Sequence, residues 1–170
     1  MPADEILMRA AAWLSLGAWA AGEWWRAAEP ADPVRRRARA AWTLGAAALL
    51  AHTALAFQVR HAWSHQLASD AIARRTQDVV GLTWAGGIWI NYLFAALWLA
   101  EAAWWWAHPA GFLARPRAAT WAVRLVFLTM FVNGAIVFAE GPVVAAGLLA
   151  TGLVLLSWRR EAVQTEPRHA

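Results

Sequence analysis

The sequence contains no cysteine and no lysine, and only 15% of its 170 residues are charged. The absence of cysteine excludes disulfides, thiolate metal ligands and thiol nucleophiles. A soluble domain carries about 25% charged residues, so this chain has little material for a solvated surface. It is 61% hydrophobic, and several apolar runs approach the ~20 residues that cross a bilayer. The composition therefore indicates an integral membrane protein.

Five apolar runs predict an all-α integral membrane protein, a bundle of five transmembrane helices in a single domain over residues 1–170. The predicted spans are 6–25, 40–59, 81–106, 120–139 and 143–158. A polar tail, 159–170, follows the last span. Only Asp4 and Glu5 precede the first run, which is a poor n-region for a signal peptide. We therefore expect an uncleaved first span.

All fifteen basic residues are arginine, and their distribution predicts an orientation with the N-terminus outside and the C-terminus inside. Short cytoplasmic segments of membrane proteins carry an excess of Lys and Arg. In this orientation eleven arginines fall on the inner side: Arg26, Arg35, Arg36, Arg37, Arg39, Arg115, Arg117, Arg124, Arg159, Arg160 and Arg168. Four fall on the outer side: Arg9, Arg60, Arg74 and Arg75. Because the arginines flank apolar spans, we expect no nucleic-acid partner.

Tryptophans concentrate at the ends of the predicted spans, as in the aromatic belts found where a bilayer meets water. The predicted outer belt contains Trp63 and Trp84. The predicted inner belt contains Trp24, Trp25, Trp42, Trp104, Trp105, Trp106, Trp121 and Trp158. A tryptophan cluster that holds a pigment or quinone ring is the alternative interpretation.

Residues 60–80 form the longest polar segment between two apolar runs. No Pro or Gly interrupts the segment, so we predict a polar helix on the outer side. This helix either continues the second span outward or lies along the surface. On a continuous helix His61 and His65 are four residues apart and share one face, where they could bind a transition metal together.

A metal site would need a third ligand, and the predicted topology places four candidates toward the outer face: Asp70, Asp78, Glu140 and His52. His52 could join the pair only if the helix bends near Arg60. The alternative is an exposed helix whose histidines bind water, lipid headgroups or a partner. Haem held by two histidines needs one from each of two facing helices at similar depth. His52 is the only histidine deep within a span, so we do not expect a single chain to hold haem.

Glu23, Glu101 and Arg124 fall near the inner boundary on three different spans. Ionisable groups within a span are functional candidates by default. We favour structural pairing between helices over a proton path that would run from Glu101 through Asn91 to His52.

Gly147 and Thr151, in the fifth run, form a small-xxx-small pair. Such pairs allow helix backbones to approach closely. The pair predicts a close helix contact, either within the chain or between copies of it.

The chain has a similarity to known proteins that covers residues 50–142. It is carried by the stretches HAWSHQLA, GLTWAGGIWINYLFAALW and FVNGAIVFAEGP, and by Thr76. In these stretches the chain resembles a group of small bacterial multi-span proteins that have no assigned activity. The resemblance implies a location in the bacterial inner membrane and carries over no catalytic residue.

The sequence contains no P-loop, G-x-S-x-G or dinucleotide-binding motif, each of which has a known mechanism. We therefore expect a non-enzymatic accessory subunit that lies in the lipid bilayer and associates with a larger membrane complex or with copies of itself. One alternative is a metal-binding or redox protein that uses the outer histidines. The other is a small transporter or proton-coupled protein centred on His52 and Asn91.

Overall fold

The structure is a computed structural model that describes residues 2–28 and 32–165, without the side chains of residues 32–34 and 164–165. Within these ranges the chain folds into seven α-helices and one π-helical turn, so the predicted all-α class is confirmed. The elements are α1 (Ala3–Arg26), α2 (Asp32–His61), α3 (His65–Val80), α4 (Gly87–Ala107), α5 (Pro109–Leu113), α6 (Arg117–Val132), the π-helical turn (Asn133–Val137) and α7 (Pro142–Thr165).

The five long helices run back and forth between two ends of one bundle. We call one end the arginine end. There Arg124, near the start of α6, donates a hydrogen bond to Glu23, near the end of α1. At the opposite end, Arg60 near the finish of α2 bonds Glu5 near the start of α1. Arg75 of α3 also bonds Glu140, just before α7, at that opposite end. Near the arginine end, Trp106 at the end of α4 donates to Thr43 in the first half of α2. Successive long helices are therefore antiparallel.

In the described part of the chain, three stretches are long and apolar enough to cross a membrane: Arg35–His61, Arg117–Val137 and Pro142–Val163. They correspond to α2, to α6 with its π-helical turn, and to α7. The other long helices, α1 and α4, have 24 and 21 residues. That length is also sufficient for a span. Helix α1 carries five charged residues, whereas α4 carries five tryptophans and one charged residue, Glu101.

Four of the long helices each bury at least one large aromatic side chain almost completely. Trp19 of α1, Trp42 of α2, Trp98 of α4 and Phe127 of α6 are at most 1% exposed. Phe127 stacks on Trp42 with 4.7 Å between ring centroids and meets Trp98 edge-on at 5.0 Å. These are the favoured geometries of aromatic pairs, so ring packing joins α2, α4 and α6.

The predicted inner tryptophan belt is wrong for Trp42, Trp105 and Trp158, which are buried inside the bundle. Trp104 and Trp106 of the same predicted belt are exposed and face away from the interior of the bundle. The prediction failed for the buried tryptophans because position along a span does not show which side of a helix faces its neighbours.

Two glycines permit close contacts between elements. A Cβ at Gly45 would lie 2.5 Å from Cζ2 of Trp98, so the Trp98 ring packs directly on the backbone of α2. A Cβ at Gly147 would lie 2.6 Å from the carbonyl oxygen of Ala135 in the π-helical turn. The close contact predicted at Gly147 is therefore confirmed, and it lies within the chain.

The prediction of an uninterrupted helix through residues 60–80 is wrong. Helix α2 ends at His61, and Ala62 and Trp63 adopt positive φ values of 46° and 59°, which few residues other than glycine adopt. Ser64 then caps α3, because its side chain accepts a hydrogen bond from the backbone N–H of Leu67. The break escaped prediction because neither Gly nor Pro marks it.

Other element boundaries also differ from the predicted ones. Helix α4 begins at Gly87 instead of residue 81, since Gly81 ends α3 in a left-handed conformation with φ of 77°. Residues 109–113, expected to be a loop, form the short helix α5. Residues 159–165 of the predicted tail continue α7, whereas residues 166–170 lie outside the described ranges.

We expect Gly147→Ala to lower the free energy of unfolding, because the added Cβ meets the Ala135 carbonyl group. Overpacking of this kind costs about 1–3 kcal/mol. Gly152→Ala, in the same helix, is the matched control, since a Cβ there meets nothing within 4 Å. Denaturant unfolding in detergent would measure both variants, and equal stability of the two would contradict the assigned contact.

Candidate functional site

The carboxylate of Glu23 is fully buried at the arginine end and has three donors. Nη1 of Arg26 donates to its Oε1 at 2.6 Å, and Nε of Arg124 donates to its Oε2 at 3.0 Å. The indole Nε1 of Trp158 donates to the same Oε2 at 2.6 Å. Because Arg124 lies on α6 and Trp158 on α7, this one carboxylate joins three helices.

Arg124 is buried and links Glu23 to a second carboxylate. Its Nη2 donates to Oε2 of Glu161 on α7. Its guanidinium carbon lies 5.4 Å from the ring centroid of Trp121 and 5.3 Å from that of Trp158. Aromatic faces attract cations at such distances, so both charge and ring contacts hold Arg124 in place.

A second buried ion pair lies at the same end. Nη1 of Arg115 donates to Oε2 of Glu101 at 2.6 Å, and Nε of Arg115 donates to the hydroxyl of Thr120 at 3.0 Å. The guanidinium carbon of Arg115 lies 4.5 Å from the ring centroid of Phe112 in α5. This pair fastens α4 to the segment that connects it with α6.

The structure confirms the structural pairing expected for Glu23, Glu101 and Arg124, although Glu101 pairs with Arg115 and not with Arg124. The sequence interpretation missed Glu161, which it placed in a polar tail. A signal was present, because Glu161 follows Trp158 by three residues and so lies on the same face of a continued helix.

The alternative of a proton path finds no support in these contacts. Glu101 is bound to Arg115, and Asn91 lies on the exposed surface of α4. His52 is bound to α1, since its Nδ1 lies 3.0 Å from the carbonyl oxygen of Met8. A carbonyl oxygen only accepts hydrogen bonds, so Nδ1 carries the proton in this contact.

The break between α2 and α3 separates His61 from His65. The shared helix face predicted for this pair is therefore wrong. The ring of His61 meets Phe57 edge-on at 5.8 Å between centroids. His65 instead faces α4, where its Nδ1 lies 3.1 Å from the hydroxyl of Tyr92.

Two other metal-ligand candidates, Asp70 and Glu140, accept hydrogen bonds from side chains of the same chain at the end opposite the arginine end. Asp70 accepts a hydrogen bond from Gln66 at 2.8 Å, and Glu140 accepts one from Arg75 at 2.7 Å. Among the described residues, no group of three or more His, Asp or Glu side chains is placed to hold a metal ion. The metal-site hypothesis stays a prediction, and it requires these side chains to move or another chain to supply a ligand.

The fold defines the class of protein. It is an all-α chain with three candidate membrane-spanning helices, the pattern of a multi-pass membrane protein. No protein-family model matches the sequence, and no curated protein or solved structure matches the chain. The resemblance to small bacterial multi-span proteins therefore stays a prediction.

We expect Glu23→Gln to lower the free energy of unfolding by about 3–5 kcal/mol, because it leaves buried arginine charges without their carboxylate. Glu5→Gln is the matched control. Glu5 also lies on α1 and also accepts from two arginines, Arg9 and Arg60, but in an exposed setting. Exposed ion pairs contribute little, so denaturant unfolding should show a much smaller loss for this variant. Equal losses for both variants would contradict the role of Glu23.

Proposed function

We propose that the protein is a five-span integral membrane protein of the bacterial inner membrane, with its N-terminus outside and its C-terminus inside. We further propose that it has no catalytic activity of its own. In this proposal it is an accessory subunit, which binds a larger membrane complex, or further copies of the chain, through its bilayer-facing surface.

The antiparallel order of the long helices supports five spans. Helices α1 and α4 pack among the three strongly apolar helices and run between the same two ends. Ten of the fourteen arginines in the described ranges belong to segments at or beside the arginine end. Cytoplasmic ends of membrane proteins carry such an excess, so we assign the arginine end to the inner side.

The pairing of the buried ionisable side chains is the observation that carries the structural role. Glu23, Glu101, Arg115 and Arg124 are buried, and each is bound to an oppositely charged side chain from another part of the bundle. Groups bound in this way hold helices together, and a proton or substrate could reach them only after an ion pair breaks. A packing function accounts for all four.

Helix α4 offers the surface that best fits a protein partner. Trp89, Ile90 and Leu93 of this helix are exposed, with Leu93 70% exposed. Aromatic residues are enriched in protein interfaces. The exposed side chains of α7 are instead aliphatic, as in Leu148 and Leu149, and this surface suits contact with acyl chains.

Single-cysteine labelling would test the orientation, because the chain has no cysteine of its own. Asp78→Cys in α3 and Ala118→Cys in α6 are at exposed positions. A membrane-impermeant maleimide should label Asp78→Cys in intact bacterial spheroplasts and Ala118→Cys only after permeabilisation. The reverse pattern would contradict the orientation, and labelling of both in intact spheroplasts would contradict the five-span arrangement.

Site-specific photocrosslinking in native membranes would test the partner surface. A photoreactive residue at Leu93 should give one adduct of defined mass that co-purifies in constant ratio with the protein. The same residue at Leu148, which is 57% exposed, is the control and should give no protein adduct. Absence of an adduct at Leu93, or catalytic turnover by the partner-free protein, would contradict the accessory role.

A further inference from the structure

A cavity of about 190 Å³ opens at the arginine end, where α1, α2, α4 and α6 meet. Three arginines, Arg26, Arg35 and Arg115, line it, and Glu161 is the one carboxylate in its lining. The hydroxyl of Thr120 also faces it. Guanidinium groups gathered around a small concave space favour an anionic ligand.

One terminal nitrogen of the Arg115 guanidinium group has no acceptor in this lining. Its Nε and Nη1 are bound to Thr120 and Glu101, but its Nη2 is buried and has no hydrogen-bond partner in the described part of the chain. The whole side chain is only 3% exposed. A buried donor left unpaired is unfavourable, and the oxygen of an anion in the cavity would supply the missing acceptor.

Arg35 supplies a positive charge that no carboxylate of the described side chains balances. Arg26 pairs with Glu23, and Arg115 pairs with Glu101. Glu161 of the lining pairs with Arg124, which also bonds Glu23. Arg35 is exposed at the mouth of the cavity, and no described carboxylate forms an ion pair with it. One further negative charge in the cavity would therefore balance the lining.

We propose that this cavity binds a phosphate group, held by the guanidinium groups of Arg35 and Arg115. Guanidinium groups match the oxygens of phosphate in a planar, two-pronged geometry. The rings of Trp25, Trp105 and Phe112 form apolar walls, against which the carbon atoms of a phosphate ester pack. A phospholipid headgroup and a soluble phosphate ester both present this chemistry.

Two binding experiments on the detergent-purified full chain would separate the two sources. Calorimetric titration with inorganic phosphate and with glycerol 3-phosphate tests a soluble ligand. Native mass spectrometry with added phosphatidylglycerol tests a lipid headgroup. We expect one ligand per chain, and we expect Arg35→Gln to weaken its binding by at least about tenfold.

Arg37→Gln is the matched control, because Arg37 is an exposed arginine of the same helix that does not line the cavity. The Arg37→Gln variant should bind the phosphate ligand with the same affinity as the unmodified protein. Arg115→Lys keeps the charge beside Glu101 but removes Nη2, so it should also weaken binding. Unchanged affinity in Arg115→Lys would overturn the assignment of Nη2.

The ligands that bind would identify the source of the phosphate. Saturable binding of a soluble phosphate identifies a soluble ester as the ligand, and binding of phosphatidylglycerol alone identifies a headgroup. Either result supports the site when it depends on Arg35. Absence of binding in both experiments would overturn the proposal. An equal loss of ligand affinity in Arg35→Gln and Arg37→Gln would also overturn the proposal, because the ligand would then be attracted by the general positive charge of the helix.

Discussion

The arrangement of the bundle depends on the burial of one carboxylate. Glu23 lies in the interior of a chain that is 61% hydrophobic, where an unpaired charge would be strongly unfavourable. Arg26, Arg124 and Trp158 together satisfy it. Since these partners come from α1, α6 and α7, the need to satisfy Glu23 aligns the first helix with the last two. Aromatic packing around Phe127 then extends this arrangement to α2 and α4.

The two ends of the bundle differ in how their charges are held. At the arginine end the carboxylates of Glu23 and Glu101 are buried, and their pairing is specific to helix positions. At the opposite end, the pair between Arg75 and Glu140 is exposed and contributes little to stability. Buried ion pairs therefore specify how the helices pair at the arginine end, whereas the exposed pair contributes little at the opposite end. The cavity at the arginine end lies beside these buried ion pairs and is lined by three arginines, which supports the proposed anion site.

Much of the fold followed from simple patterns, and the failures have identifiable causes. Apolar runs located the long helices, and arginines marked one end of the bundle. The break at Ala62 and Trp63 was not predictable from turn-forming residues, because two ordinary residues adopt positive φ there. The backbone N–H of Trp63 donates to the carbonyl oxygen of Phe57 and closes the turn. The break separated His61 from His65 and removed the shared helix face on which the metal hypothesis relied. For the buried tryptophans, such as Trp42, depth along the helix was predictable but orientation was not.

The sequence by itself determined the class of structure. A chain this apolar must satisfy its backbone hydrogen bonds internally, and helices do so within each segment. The partners of its charged groups were decided only by tertiary structure. Glu23 and Arg124 are 101 residues apart in the chain, and Glu101 could equally have paired with either of two arginines at the same level. Which pair forms depends on how each helix is rotated, and that rotation results from the simultaneous packing of rings and glycines across the bundle.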